Sequence, residues 1–562
     1  MRKFAIALLC FAATSASCQA PAAAPVTIQV DLAASQGPYK SIGSWFGYDE
    51  INFTNGKYGS QLLPELHDLS AAPVYIRAHH LLTSGDGQPK LKWSSTNVFT
   101  LDAAGKPVYD FKVLDRIFDE YKAAGVRPMV ELGFMPKDLA SGTMDYEYPY
   151  PNTIKGSVQS PPKDYAMWGE LCRRVVEHFV QRYGRDEVAT WYFEVWNEPD
   201  ISYWQGTPEQ YFKLYDYSVA GVRKALPNAR VGGPGSTGPG SQRSITFLTN
   251  FLNHCANDKN AATGDPITLD FISFHPKGSP RLVPPGPGET AHIRMGLQNE
   301  ISAAANGFRT VAASTKWHSL PIILSEADPE GCAACSAREN PNNAYRNSPV
   351  YPTYTAAAMK ALADLAAQYK VNLIGMVTWA FEFEGKQYFE GFRTLATNGV
   401  DKPVLNVFRM AGLLSGDRVA ATSSSAVPAE DIAKSGVRAQ ADIDAFATKS
   451  VHEAAVMLWN YHDEDLPVAA SQVTVDITGI PANVHKVLLE HYRIDDTHSN
   501  AYTVWMAMGS PQDPTPDQYA KLKAAGQLQL LTSPTWIDVP AGAVSVTTSL
   551  PREATSLLHL TW

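Results

Sequence analysis

Two glutamates follow directly on short apolar stretches of the kind that form buried strands. Glu198 ends the run WYFEVWNE, and Glu326 ends the run PIILSE. The stretch Trp191–Trp196 is aromatic and β-branched, and Pro199, which cannot donate a ladder hydrogen bond, stops the strand. A carboxyl held against apolar walls has a raised pKa and can act as a general acid. The alternative for Glu198 is a structural carboxylate that caps the next helix, but the recurrence of the pattern at Glu326 favours chemistry.

A pair of carboxyl groups is what the hydrolysis of a glycosidic bond requires. One carboxyl protonates the leaving oxygen, while the other attacks the anomeric carbon or activates a water molecule. The separation of the two groups decides between retention and inversion, and the sequence alone does not give it. Because carboxylates suffice for this reaction and no cluster of metal ligands is evident, we expect neither a metal nor an organic cofactor.

The elements that must position these glutamates form a repeating pattern of strands and helices. Amphipathic segments such as Val113–Ala124, Trp168–Tyr183, Pro208–Ala225 and Thr353–Tyr369 separate the apolar runs. Eight strand–helix units predict an α/β fold, a (β/α)8 TIM barrel, in which functional residues lie at the carboxyl ends of the strands. The eight predicted strands are Ser41–Tyr48, Pro73–Arg77, Pro128–Leu132, Trp191–Val195, Arg230–Gly233, Leu269–Phe274, Pro321–Leu324 and Ile374–Trp379.

The pattern changes after the predicted barrel, which we place at residues 41–412. Residues 413–562 alternate or carry β-branched residues between turns, which predicts an accessory C-terminal β-sandwich with one helical insertion at Pro514–Ala525. Residues 21–40 are predicted to be a linker followed by an N-terminal strand, Val26–Leu32, that joins this sandwich.

The first 20 residues have the pattern of a secretory signal peptide: a basic start, a short apolar run and small residues. Ser15 stands where a lipid-attachment motif at Cys18 needs an aliphatic residue, which favours soluble export, secreted or periplasmic, over a lipid anchor. The apolar run is too short to span a bilayer, so no membrane span is predicted. The net charge is -9 and no basic stripe is present, which argues against a nucleic-acid partner.

Cys332 and Cys335 form an isolated C-x-x-C motif. A zinc site needs two further ligands at matching spacing, and none is evident. In an oxidising compartment a local disulfide that stiffens a loop is the favoured interpretation, ahead of a redox role.

Taken together, these motifs resemble those of glycoside hydrolase family 39, the family of β-xylosidases and α-L-iduronidases. WNEP alone is shared by many barrel glycosidases, whereas the whole set in this order is more specific. The resemblance covers nearly all of the chain after the signal and implies a barrel with an appended sandwich. The stretches that carry it are GYDEIN from Gly47, YIRAHHLLTSGDG from Tyr75, FEVWNEPD from Phe193, VGGP from Val231, DFISFHPKG from Asp270, ILSEADPEG from Ile323 and IDDTHSNAYTVW from Ile494.

The resemblance implies a role for each residue that matches a family motif. Glu198 would be the acid/base and Glu326 the nucleophile of a retaining double displacement. Asn197 would hydrogen-bond the sugar 2-hydroxyl, an interaction that tightens as the oxocarbenium ion forms. His79 and His275 match positions that contact the sugar. An isolated histidine is more often a core residue, but both follow barrel strands, which favours contact.

Three further residues come from the end of the eighth strand. Trp379 can form the floor of the sugar subsite, or it can be a plain core residue. Glu382 and Glu384, in FEFEG, match the acidic pair that holds xylose hydroxyls in the xylosidase branch of the family. The alternative for one of these two glutamates is that it faces solvent.

Two cationic residues depart from the xylosidase branch. Lys277 stands in HPKG, which is similar to the HRKG of the iduronidases, and Arg393 stands in FRTL, which is similar to their QRTL. Both side chains can bind a sugar carboxylate. Equally, they can pair with nearby acids such as Asp328 or Glu384.

Three functional hypotheses follow, and the substrate of each is an oligosaccharide or glycoside. The first is a retaining exo-glycosidase, most simply a β-xylosidase that releases xylose from xylo-oligosaccharides or related plant-wall glycans. The second keeps the mechanism but takes a uronic acid or arabinose as glycone. The third is a non-catalytic carbohydrate-binding protein. The linkage cleaved and the oligomeric state are left open.

Overall fold

The computed structural model describes residues 25–142, 145–147, 155–286 and 290–562. The predicted signal peptide and Cys18 lie outside the described residues. Eight parallel strands close into a barrel, in which the last strand pairs with the first through Val377 and Trp45. The predicted barrel is therefore confirmed. Its strands are Trp45–Tyr48, Tyr75–Ala78, Arg127–Leu132, Tyr192–Val195, Arg230–Thr237, Phe271–His275, Pro321–Leu324 and Asn372–Trp379.

Helices surround the barrel and bury their apolar stripes against it. The helix Pro208–Ala225 begins with a capping box, in which the Thr207 side chain accepts from the Gln210 N–H and the Gln210 side chain accepts from the Thr207 N–H. The α-helices of this region are Gly59–His67, Lys112–Ala124, Tyr165–Tyr183, Arg185–Val188, Pro208–Ala225, Gln242–Asn257, Leu297–Ala312, Val350–Tyr369 and Pro403–Gly412. None of the helices in the described ranges has the length and apolar character needed to cross a bilayer.

Short two-stranded ribbons and short 3-10 helices occur in the loops between these elements. The ribbons pair Phe99–Leu101 with Pro107–Tyr109, Asp145–Glu147 with Lys155–Val158, Arg281–Val283 with His292–Arg294, and Ala396–Thr397 with Val400–Asp401. The 3-10 helices are Ile51–Phe53, Pro341–Asn347 and Pro540–Gly542.

The C-terminal strands form one ten-stranded sheet, and Val26–Pro38 lies inside it. Val26–Pro38 runs parallel to Ser471–Thr478 and antiparallel to Asp417–Ser423. In sheet order the strands are Gln529–Leu530, Lys486–Ile494, Thr555–Thr561, Glu453–Tyr461, Asp442–Lys449, Asp417–Ser423, Val26–Pro38, Ser471–Thr478 and Val544–Leu550, with Thr535–Asp538 also paired to Lys486–Ile494. The helices here are Ala429–Ser435, Ala501–Ala507 and Pro516–Gly526.

This single sheet curls over so that strands far apart in its order face each other. Arg493 donates to Thr548 Oγ1 at 3.1 Å and to the Ser549 carbonyl at 3.0 Å. Their two strands lie seven positions apart in the sheet, which in a flat sheet means about 34 Å. The apolar faces of the curled strands share one core. One continuous hydrogen-bonded sheet therefore forms both layers of the sandwich that the sequence predicts.

The barrel and the sheet pack against each other through the helix Val350–Tyr369. Lys360 Nζ lies 2.8 Å from Asp444 of the sheet, and Thr353 donates to the Glu553 carbonyl at 2.8 Å. Phe446 and Trp459 of the sheet belong to the same apolar core as the barrel helices. The barrel and the sheet are therefore packed directly against each other.

Candidate active site

Glu198 and Glu326 meet at the carboxyl end of the barrel. One carboxylate oxygen of each lies within 4.8 Å of the other, and a nitrogen of His275 lies within the same distance of both. Both glutamates line a cleft of about 430 Å³. Carboxyl groups about 5–5.5 Å apart are typical of retaining glycosidases, whereas about 6.5–9.5 Å is typical of inverting ones. The short separation matches the retaining geometry.

The backbone after the fourth barrel strand turns sharply to deliver Glu198. Trp196 has φ 71° and Glu198 has φ 45°, in the left-handed region that non-glycine residues rarely occupy. The Glu198 N–H donates to the Gly235 carbonyl at 2.8 Å, which holds the turn against the fifth strand. This local strain places the Glu198 carboxyl in the cleft.

Glu326 is surrounded by cationic side chains. Its Oε1 lies 3.0 Å from Arg77 Nη1, and its Oε2 lies 2.8 Å from Lys277 Nζ. Burial alone raises the pKa of a carboxyl, but the interactions with Lys277, His275 and Arg77 outweigh it and lower the pKa of Glu326 below its ordinary value. Glu326 is therefore ionised, the form that a nucleophile needs.

Arg77 pairs with several acidic side chains beneath the cleft, a role that was not predicted from the sequence. It lies 2.6 Å from Glu194, 2.8 Å from Glu131 and 3.1 Å from the side-chain oxygen of Asn197. Its charge is balanced inside the barrel, since its hydrogen-bond and ion-pair partners are all acidic or amide groups. A detectable signal was present, because Arg77 and Glu194 are charged residues inside strand runs that are otherwise apolar, YIRA and YFEV.

His275 lies between the two catalytic candidates. Its Nδ1 is 3.0 Å from Glu198 Oε1, and its Nε2 is 3.0 Å from Ser325 Oγ. The same Nδ1 is 3.8 Å from Glu326. The structure thus brings His275 into the site, in contact with a catalytic candidate through its Nδ1.

His79 lies one layer deeper than the cleft. Its Nδ1 lies 2.6 Å from Asp49 and its Nε2 lies 2.6 Å from Glu131. The angles at both contacts fall outside those of a hydrogen bond, so the contacts are ion pairs. Burial lowers the pKa of a histidine, but these two carboxylates raise the pKa of His79 to about 9. Asp49 and Lys92, which are 2.9 Å apart, line the cleft above it. Lys92 is a second residue that the sequence analysis did not single out.

Trp379 is buried, with 1% of its surface exposed. The Arg77 guanidinium lies 4.9 Å from the centre of its ring, and its indole N–H donates to Asp49 at 3.4 Å. The ring therefore packs against the charged layer beneath the cleft, where a cation–π contact supports Arg77.

Among the residues that the structure describes, two groups have the composition of cation sites, and in each a lysine side chain already pairs with one of the carboxylates. The first consists of Glu198, His275 and Glu326, and the second of Asp49, His79 and His80. Lys277 lies 2.8 Å from Glu326, and Lys92 lies 2.9 Å from Asp49. These donor sets are therefore better suited to internal ion pairs than to a metal ion.

Comparison with known proteins agrees with this geometry. The family model described as glycosyl hydrolases family 39 matches residues 75–536. The chain belongs to glycosyl hydrolases family 39. A β-xylosidase of Geobacillus stearothermophilus is 28% identical over 457 residues, covering 80% of this chain and 79% of the relative. Human α-L-iduronidase is 25% identical over 541 residues, covering 90% of this chain and 74% of the relative.

The fold of this family 39 glycoside hydrolase is also that of a solved structure. The crystal structure of a monomeric β-xylosidase from Caulobacter crescentus CB15 superposes with a TM-score of 0.73 at 21% identity, covering 95% of this chain and 99% of the other. The match extends over both the barrel and the curled sheet, so the two parts occur together in the relative.

Lys277 and Arg393 differ in exposure and in partners in this family 39 chain. Lys277 Nζ lies 2.8 Å from both Glu326 and Asp328, and the side chain is 17% exposed at the edge of the cleft. Arg393 is 0% exposed and binds Glu330, with Asp328 at 3.6 Å. Its Nε–H donates to the Trp379 carbonyl at 3.0 Å. The structure therefore places Lys277 beside the catalytic candidates and Arg393 behind them.

The structure separates Glu382 and Glu384 from Glu198 and Glu326 in this family 39 enzyme. Glu382 is buried and accepts from the Gly399 N–H at 2.6 Å. Glu384 accepts from the Tyr58 N–H at 2.9 Å and lines a neighbouring groove. Neither glutamate lines the cleft that contains Glu198 and Glu326.

The buried Glu382 predicts a pH-dependent stability. Burial raises the pKa of Glu382 from 4.5 to about 8. A group whose folded pKa exceeds its unfolded value stabilises the fold fully below the unfolded pKa, and this contribution is lost as pH rises through the folded pKa. Glu382→Gln mimics the neutral carboxyl, so we expect the variant to gain roughly 3 kcal/mol relative to wild type between pH 5 and pH 8.5.

Chemical denaturation at several pH values measures this difference. Glu384→Gln, the same exchange at a partly exposed position two residues away, is the control and should track the wild-type curve. A Glu382→Gln difference that stays constant with pH would show that the carboxyl does not titrate in this range.

Proposed function

We propose that this chain is a retaining exo-β-xylosidase in which Glu326 is the nucleophile and Glu198 the acid/base. The observation that carries the proposal is the short separation of the two carboxylates, within 4.8 Å, at the edge of one cleft. Asp49, Lys92 and Asn197 add hydrogen-bonding groups to the same cleft, as recognition of sugar hydroxyls requires.

The mechanism proceeds in two steps through a covalent ester. In the first, Glu326 attacks the anomeric carbon as the bond to the leaving oxygen breaks, and the Glu198 carboxyl gives its proton to that oxygen. In the second, Glu198 removes a proton from water, the water oxygen attacks the anomeric carbon, and Glu326 departs as a carboxylate. Arg77 and Lys277 stabilise the ionised Glu326 at the start and end of the cycle.

Asn197 is positioned to act on the ring substituents. Its side-chain oxygen accepts from Arg77 at 3.1 Å, which orients the amide at the edge of the cleft. A hydrogen bond between this amide and the sugar 2-hydroxyl strengthens as positive charge develops on the ring and makes the hydroxyl a better donor, so it favours the transition state over the substrate.

The contacts of Lys277 and Arg393, the two cations of the iduronidase-like motifs, favour a neutral glycone. The Arg393 side chain has no exposed surface and forms ion pairs with Glu330 and Asp328. Lys277 is shared between Glu326 and Asp328. A sugar carboxylate at the cleft would have to compete with these acids. The β-xylosidase of Geobacillus stearothermophilus supports the same choice.

A uronide remains the second candidate, because Lys277 reaches the cleft and human α-L-iduronidase is also a relative. Nitrophenyl glycosides of xylose, arabinose and a uronic acid distinguish the glycones. We expect the xyloside to have the highest kcat/KM, by about tenfold or more, because the uronide carboxylate lacks a free cation.

Lys277→Met tests the uronide alternative with a substitution of similar length. If the xyloside is the substrate, the variant lowers kcat on all three glycosides together, since it removes a cation from the nucleophile. A selective loss on the uronide, together with a wild-type preference for it, would reject the xylosidase proposal. Lys112→Ala, at a surface lysine that is 89% exposed, is the control for loss of a positive charge.

We further propose that the protein is exported, secreted or periplasmic. The signal pattern of the first 20 residues supports this, and so does the disulfide between Cys332 and Cys335. That disulfide matches the favoured interpretation of the C-x-x-C motif.

A further inference from the structure

A second groove opens beside the catalytic cleft. Its volume is about 1030 Å³, and it is bordered by three loops at residues 89–92, 332–339 and 384–392, which follow the second, seventh and eighth barrel strands. Lys92 and Cys332 line both the groove and the cleft, so the two cavities adjoin each other at these residues. A molecule that extends past these two residues would lie in both cavities.

The groove joins the cleft on the side away from the acid/base candidate. Glu198, Ile201 and Tyr203, all from the loop after the fourth strand, line the cleft but not the groove. The leaving oxygen must face Glu198 to receive its proton, so the leaving group departs on that side. A group in the groove is consequently attached to the glycone and not to the leaving oxygen.

Part of the lining of the groove is apolar. Phe53, Ala334 and Phe392 form a small buried cluster with Phe383, against which Leu91 packs. The rings of Phe383 and Phe392 are 5.4 Å apart. Such a surface suits the C–H face of a sugar ring.

The rim of the groove carries charges of both signs. Arg338 and Lys386 face it together with Glu339 and Glu390. In the described ranges no ion pair within 4.0 Å involves any of these four residues, unlike the bound cations of the cleft. A rim of mixed sign has no net field that would select a charged ligand, but it supplies donors and acceptors for hydroxyl groups.

The groove is held in place by the segment that precedes the helical insertion of the sheet. The Tyr388 N–H donates to Gln512 at 2.8 Å, and the Gln512 side-chain N–H donates to the Tyr388 carbonyl at 3.4 Å. The wall at residues 384–392 is thus supported by a second part of the chain. A preformed wall lowers the entropic cost of binding.

We propose that the second groove binds a further neutral sugar attached to the glycone, so that the enzyme accepts a disaccharide glycone and releases it intact. This inference rests on the proposed xylosidase function. It extends the substrate class from single terminal xylose units to glycosides whose terminal unit carries another sugar.

The decisive experiment is product analysis with 4-nitrophenyl β-xylobioside. If the groove binds the outer sugar, wild type releases nitrophenol and xylobiose in the first turnover, as seen by chromatography at low conversion. If the groove plays no part, the first products are xylose and 4-nitrophenyl β-xyloside, which overturns the inference but leaves the xylosidase proposal intact. Absence of hydrolysis of both aryl glycosides would overturn both.

A double substitution, Arg338→Ala with Lys386→Ala, tests the rim. We expect the ratio of kcat/KM for the xylobioside to that for the xyloside to fall roughly tenfold, the loss of two hydrogen bonds of modest strength. Lys112→Ala should leave the ratio at its wild-type value. An unchanged ratio in the double variant would contradict the proposed contacts.

Discussion

Replacement of Glu326 by alanine is expected to reduce kcat by at least about 10,000-fold on every substrate, irrespective of the leaving group. The covalent intermediate forms on this carboxylate and cannot form without it. Steady-state hydrolysis of an aryl xyloside measures the loss directly.

The fold is expected to survive this substitution. Arg77 keeps Glu194 and Glu131 as partners, and Lys277 keeps Asp328, so no cation is left unpaired. Circular dichroism checks the fold. Glu209→Ala, at an exposed glutamate on the helix Pro208–Ala225, is the control for loss of a carboxylate.

A mechanism-based fluorinated xyloside provides an independent test of Glu326. The trapped ester should lie on the peptide that contains Glu326. Binding of the inhibitor with labelling of a different residue would reject the nucleophile assignment, and binding with no label at all would favour a non-catalytic carbohydrate-binding protein.

Replacement of Glu198 by alanine is expected to discriminate between leaving groups. For an unactivated xylo-oligosaccharide we expect kcat/KM to fall roughly 100- to 10,000-fold, because the leaving oxygen needs a proton. For a dinitrophenyl xyloside the fall should be much smaller, since that phenolate departs without protonation. The ratio of the two losses is the measured quantity.

The contrast between the two substrates is what identifies an acid/base residue. Equal losses on both would show that Glu198 acts in another way, for instance by holding His275 at 3.0 Å. His275→Gln is the companion variant. If His275 only positions Glu198, this variant should lower activity on both substrates, and the loss on the xylo-oligosaccharide should still exceed the loss on the dinitrophenyl xyloside.

The barrel could be predicted because its strands are buried on both faces. Runs such as PIIL and YFEV are nearly continuous in apolar residues, and each is followed within two residues by a polar side chain at the end that faces the cleft. Glu198 and Glu326 were therefore recognisable from their position in the chain. All eight predicted strands overlap the strands of the closed barrel.

The surroundings of the two glutamates were less predictable. Arg77 lies in the second strand, yet its partners Glu131, Glu194 and Glu326 come from the third, fourth and seventh. Nothing in the local sequence says which inward-facing charges will pair, because that depends on the stagger and closure of the barrel. Lys92 joins the cleft through a loop for the same reason.

The sequence by itself determined the order of strands and helices, the two acidic strand ends and the family motifs, because these depend on local patterns of burial and turn residues. Only the tertiary structure decided that the two carboxylates are close enough for retention, that Arg393 and Glu382 are buried away from the cleft, and that a second groove adjoins the cleft at Lys92. Distances of this kind arise from barrel closure and loop packing between residues far apart in the chain. The order of residues along the sequence does not give these distances.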